Sequence, residues 1–352
     1  MSHTMTVINR RFYDDYFFDL YQACVDESAI DVYFENLSMH WLNLHDASKP
    51  IIVFISDILT DGLVYTRFTS EQQSQINQRT APVYIATSVD QSHLDFPNLN
   101  VQWLHTGSDM LFQQREYPAM PAVTKKTFSE PFHWAFLNRT PRPHRVLAIC
   151  ALLGLGLNNK VTIGNHTHNN VNWDDYLAND YGVQSSILDR GWKEFLTHPT
   201  YDIHLGYNVP PNHNVLNFDL NLKHWYASTC VEVVAETTYF NQGIFFSEKY
   251  LNSIYGCNFP ILIAPPGSVQ YLREHGFDVF DDVVDHGYDS ESNPVKRILQ
   301  AFESNKQLFE NRQMAIDLWK THQDRFYSNL EYARTGMYNH FKSNFINQLD
   351  VI

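Results

Sequence analysis

The chain has 352 residues, 44% of them apolar and 14% aromatic, which excludes disorder as a description of the whole and suits two domains, each with its own core. Its 25 basic and 39 acidic residues give a formal charge of −14, which argues against a broad nucleic-acid-binding face but leaves room for a local basic groove. Four scattered cysteines without a Cys-x-x-Cys pair read as reduced thiols, no apolar signal core occupies residues 1–31, and the longest apolar run, 146–157, is too short for a bilayer. The expectation is a cytoplasmic protein with no membrane span.

In the first third, residues 14–42 are aromatic-rich and compatible with helix or strand. Pro50 then leads into the β-branched run 51–55, followed by Ser56 and Asp57, the pattern of a buried parallel strand that ends in a polar loop. Runs 83–86 and 101–104 predict two further short strands, with a loop at 95–98. A Rossmann-like N-terminal domain over residues 1–130 follows, its last part (117–130) read as linker because it holds Pro118 and Pro121 and has no clear period.

A strand is expected at 133–137, and after it comes Asn138-Arg139-Thr140-Pro141-Arg142-Pro143-His144-Arg145. The two prolines forbid a helix through this loop, and Pro143 suits the first position of a helix whose apolar body is 146–153. Three arginines therefore gather where free N–H groups and the helix dipole favour an anion, and guanidinium geometry matches phosphate. The plainer alternative is a solvated basic turn. Residues 158–214 are polar. His166 and His168 would share a strand face but lack the further ligands that zinc needs. Short helices are expected at 173–181 and 187–197, and a strand at 202–205.

Residues 231–289 carry the clearest pattern. Apolar runs 231–235 and 259–264 predict buried parallel strands. Ser247 caps a helix that starts with Glu248 and ends at Gly256, and Pro265-Pro266-Gly267 turns the chain. Ser268 is expected to cap a second helix, closed by Gly276 ahead of another strand at 277–280. Glu232 and Glu236, four apart, can share a strand face. Beyond Pro294 the chain reads as helical, with Ile298/Phe302 and Phe341/Phe345/Leu349 on core faces.

Phe246-Ser247-Glu248-Lys249, followed by FPILIAPPGSVQYLREHGF and FDDVVDHGYD, resembles the donor half of GT-B glycosyltransferases. It is nearest to the fucosyltransferase-like and exostosin-like group and more distantly similar to phage DNA glucosyltransferases. The resemblance spans about residues 136–302 and does not extend to the first 130. It implies an α/β protein of GT-B fold, with two Rossmann-like domains (1–130 and 131–322) facing a central cleft and a C-terminal helix (323–352) returning to the first. It also implies transfer of a sugar from a UDP- or GDP-sugar to an acceptor hydroxyl.

No Asp-x-Asp pair occurs in the chain, so the leaving diphosphate is expected to be stabilised without metal or cofactor by Arg139, Arg142, Arg145 and Lys249. Glu248 is placed to accept from ribose hydroxyls, as its counterpart does in the resembled group, or simply to complement the helix dipole. Glu236 is read as a donor-site residue or a structural one. Asp57 and Asp61, just beyond the strand that ends at Ile55, are the candidate acceptor bases. A glycan or small molecule is the preferred acceptor over a hydroxymethylated DNA base, because phosphate neutralisation dominates DNA affinity and the chain is acidic. A non-catalytic nucleotide-sugar- or glycan-binding module is the reading from a different class. Donor base, sugar and stereochemical outcome stay open.

Overall fold

The computed structural model describes residues 31–35, 51–55, 70–87, 101–105, 122–138, 142–157, 160–163, 185–197, 223–237, 239 and 243–349. The chain divides into two compact units, one comprising Met1–Glu116, Asn241–Phe245 and Thr335–Ile352, the other Tyr117–Phe240 and Phe246–Arg334. It is a mixed α/β protein built on parallel sheets.

In the first unit, β1 (Asp31–Glu35), β2 (Ile51–Ile55), β3 (Val83–Thr87) and β4 (Val101–His105) form a parallel sheet in that order. Helix α1 (Ser70–Asn77) lies in the connection between β2 and β3. Three of these strands are where apolar runs place them. β1 is not, because its surroundings in sequence carry no single period.

The second unit holds β5 (Trp134–Asn138), α2 (Pro143–Gly154), β6 (Lys160–Ile163), α3 (Ser186–Thr197), the short α4 (Lys223–Tyr226), β7 (Val231–Ala235), α5 (Glu248–Tyr255) and β8 (Phe259–Ile263). Its four strands are parallel in the order β6-β5-β7-β8. β7 and β8 are buried at every residue, which is why their sequences are near-continuous apolar runs rather than alternating ones. β8 is an edge strand that contains Pro260. Phe259 N donates to Cys230 O at 2.8 Å, so the next residue faces away from β7 and the missing N–H of Pro260 falls on the open edge. Leu262 faces the same way, and its N–H donates to the Tyr288 hydroxyl at 2.9 Å.

Pro143 begins α2 as expected, with Arg142 as an extended N-cap. Ten of the twelve residues of α2 are buried, and the helix packs against α3 and against the helix Pro294–Ser304. Glycines make the helix pair possible: a Cβ at Gly191 would stand 1.7 Å from Cys150 O, and one at Gly154 would stand 1.9 Å from Ile187 O. Arg190 locks the contact by donating Nε to Gly154 O at 2.7 Å.

Ser247 caps α5 by accepting from Lys249 N, and Gly256 ends it. Gly267, at φ 83°, turns the chain into α6 (Ser268–Glu274), a backbone geometry that a side chain would strain. The cap of α6 is not Ser268, whose hydroxyl instead donates to Pro265 O. Asp289 takes that role by accepting from Val269 N and Gln270 N at 3.0 and 3.1 Å, a partner twenty residues away that no local pattern could reveal. Residues 277–280 are likewise not a strand. Asp278 N donates to Asn329 Oδ1 and Phe280 N to Asp278 Oδ1, so side chains hold the amides that a ladder would have used.

After a 3₁₀ turn at Gly287–Ser290 come α7 (Pro294–Ser304), α8 (Lys306–Glu310), α9 (Arg312–Thr321) and α10 (Gln323–Glu331). Ile298 and Phe302 are buried in the core of this unit. A turn of π-helix, Tyr332–Gly336, then leads to α11 (Met337–Leu349), which packs with β4 in the first unit and buries Met337, Phe341 and Phe345.

Candidate functional site

In the second unit the chain leaves β5 for β6 on one side and β7 for β8 on the other. The carboxyl ends of β5 and β7 therefore flank the point where strand order reverses, the place where open α/β sheets take their ligands. The two strands pair only at their beginnings, Trp134 with Val231 and Ala135 with Glu232. Basic side chains from the start of α2 reach three successive carbonyls at the far end of β7. Arg145 Nη2 donates to Ala235 O at 3.4 Å, His144 Nε2 meets Glu236 O at 2.9 Å, and Arg142 Nη1 donates to Thr237 O at 3.1 Å.

A carbonyl can only accept, so the proton of His144 resides on Nε2 and Nδ1 is the acceptor nitrogen. Burial holds His144 well below the usual histidine range. The positive charges of Arg145, Arg142 and Lys249 push the same way, against its hydrogen bond to Glu236 O. Three cationic side chains thus act on one neutral imidazole at the amino end of a twelve-residue helix. His144 stacks on Tyr239 with ring centroids 5.1 Å apart, and the Arg297 guanidinium lies 4.5 Å from the centre of the Tyr239 ring. Arg297 also donates to Ala264 O at 3.1 Å, tying the end of β8 into the same wall.

Glu236 is fully buried, and its carboxyl group faces the start of α5. Its Oε2 accepts from Ser247 N at 3.0 Å and from Ser247 Oγ at 2.5 Å. The ammonium of Lys249 donates to Ser247 Oγ at 3.0 Å and lies 3.5 Å from Thr237 Oγ1. The structure therefore brings together Arg142, Arg145, Glu236 and Lys249. Glu248 is the first residue of α5, but its side chain lies outside the described residues, as do Arg139, Asp57 and Asp61.

Glu232 does not join Glu236 at this end of the sheet. Its carboxyl group accepts from Tyr226 Oη at 3.0 Å and from Asn258 Nδ2 at 3.4 Å, and burial raises it to about 7. Beside it lies Lys126, from the stretch read as linker. Its ammonium shares its three N–H groups among Thr229 O, Gly256 O, Asn258 Oδ1 and Tyr226 O, at 2.5, 2.6, 2.7 and 2.9 Å. These partners precede β7 and β8, at the amino ends of the strands.

His144 was within reach of sequence reasoning, since it follows the proline that opens the helix. Tyr239, Arg297 and Lys126 were not, because each acts on a segment distant in sequence. Among the described residues, no group of three or more histidine, cysteine, aspartate or glutamate side chains is placed to hold a metal ion. No helix among the described residues is long and apolar enough to cross a membrane. Comparison with known protein families finds no family model that matches the chain, and no curated protein matches it.

Proposed function

We propose that the chain is a glycosyltransferase of the GT-B kind, with the second unit as its nucleotide-sugar half. The observation that carries this reading is the convergence of Arg142, Arg145 and Lys249 around His144 at the carboxyl end of β7. Cationic side chains and a helix amino end at a strand-order switch point suit the diphosphate of a UDP- or GDP-sugar. In such a transfer the bond from the anomeric carbon to the diphosphate oxygen breaks while the acceptor hydroxyl forms the new one. The same cations would stabilise the charge that develops on the leaving group. The proton of the acceptor hydroxyl would pass to a carboxylate, for which Asp57 and Asp61 are the candidates and a glycan or small molecule the acceptor.

Of the two described arginines of this loop, Arg142 is the better placed to meet a ligand, because it is half-buried whereas Arg145 is 3% exposed. A thermal-shift panel of UDP-, GDP-, ADP- and TDP-sugars, run with and without EDTA, tests the reading by mass action. UDP- or GDP-sugars are expected to raise the melting temperature in both conditions. Arg142→Ala is expected to weaken nucleoside diphosphate affinity by about 1.5–3 kcal/mol, the range for hydrogen bonds to charged groups. An unchanged affinity would leave Arg142 as a strand-end clamp only. Donor hydrolysis without acceptor would separate a transferase from a module that merely binds.

A further inference from the structure

We infer that Glu236 is a positioning residue: its carboxyl group acts through the Ser247 hydroxyl to hold the Lys249 ammonium over the carboxyl end of β7. This deepens the donor-site reading above, on which its ligand arm rests.

A serine hydroxyl has one hydrogen to donate and two lone pairs with which to accept. Glu236 Oε2 also accepts from Ser247 N, which fixes the carboxyl oxygen on the inner side of the serine. The hydroxyl hydrogen is therefore directed to Glu236, at 2.5 Å. The lone pairs then point outward, and Lys249 takes both, through its backbone N–H at 3.3 Å and its ammonium at 3.0 Å. An ammonium can only donate and so needs a lone pair, which a hydroxyl free to rotate would present in several directions. The buried carboxyl group removes that freedom. The ammonium is thereby held near Thr237, whose carbonyl also receives Arg142. Two cations from two different helix starts meet at one residue.

This predicts an indirect role for Glu236. Glu236, fully buried, is expected to act on a ligand only by setting the position of Lys249. Its removal should be felt only by the part of a ligand that Lys249 meets.

The test uses the full chain and two readouts. The first is competitive acetylation of Lys249, with the exposed Lys296 and Lys320 as internal references. Ser247→Ala and Glu236→Leu are each expected to change the relative labelling rate of Lys249 by about threefold or more, because the ammonium loses a fixed acceptor. Ser247→Thr, which keeps the hydroxyl, should return it to the wild-type rate. An unchanged rate in Ser247→Ala overturns the inference, and this variant keeps the test decisive if Glu236→Leu does not fold.

The second readout is affinity for UDP and GDP against their free nucleosides. Ser247→Ala should weaken diphosphate binding about fivefold, as expected for loss of one hydrogen bond, and leave nucleoside binding within about twofold. In a Lys249→Ala background it should have no further effect. An equal loss in that background would mean that Ser247 meets the ligand itself, which also overturns the inference. If the labelling rates shift as expected but the wild type binds neither diphosphate, the relay stands and the donor-site reading fails.

Discussion

Lys126 shows what one side chain can organise. Burial pulls its ammonium down to about 8, against the pull of neighbouring groups that include Glu232, so it remains mostly protonated at neutral pH. Its four oxygen partners, three of them backbone carbonyls, offer a protonated amine the hydrogen bonds that water would otherwise provide. Lys126→Met would keep most of the apolar stem and leave those oxygens without their donor. Each buried acceptor left alone costs about 1–3 kcal/mol, so a loss of at least about 3 kcal/mol is expected, read as a lower urea midpoint at unchanged m. Ligand affinity at the opposite end of the strands should persist in whatever fraction folds. A variant as stable as the wild type would show that the ammonium is not needed to join these turns.

At the scale of the element, α2 and α3 touch backbone to backbone. Gly191→Ala would place a methyl group 1.7 Å from Cys150 O, and a main-chain obstacle in a buried helix cannot swing aside. The expected cost is about 3 kcal/mol, the upper end of the range for overpacked cores. A denaturation midpoint unchanged within about 0.5 kcal/mol would mean that the helices can separate without penalty. Such elements differ in how far the sequence announces them. β7, β8 and the start of α2 were legible because a buried parallel strand is an apolar run and Pro143 can stand only in the first turn of a helix. The cap on α6 and the course of 277–280 depart from the local pattern because both depend on side chains, Asp289 and Asn329, that approach from elsewhere in the fold. At the candidate site the arginine loop, Ser247 and Lys249 stood out by residue type and spacing. The inward turn of Glu236 did not, since a carboxylate beyond a strand looks the same in sequence whether it faces a ligand or a helix start.

Across the molecule, buried titratable groups give opposing responses to pH. His133, His144 and His286 each set Nε2 against a carbonyl, at 2.9, 2.9 and 2.8 Å, and burial lowers all three. Below the ordinary histidine value of about 6.5 the unfolded chain binds protons that the folded one refuses, so their contribution is present above that value and lost as pH falls. Glu232 works in the other direction. Raised to about 7, it holds a proton that the unfolded chain releases, so stability falls as pH climbs from the ordinary carboxylate range through its folded value. Glu232→Gln removes that second response. The melting temperature of the variant minus that of the wild type is therefore expected to rise between about pH 5 and about pH 8. A difference that is flat or falls across this interval would show that Glu232 is not held protonated by burial.

The open margin of β8 bears on how copies of this chain behave in concentrated solution. A bare parallel edge is a template on which a second chain can build another strand, the first step toward aggregates. Here the proline ring at 260 offers no amide hydrogen, and the amide at 262 is already held by the Tyr288 hydroxyl. The two backbone donors that would seed such growth are removed, one by covalent structure and one by a side chain from the same unit. β8 can thus stay apolar along its whole length, as its place in the core requires, without its margin recruiting another copy.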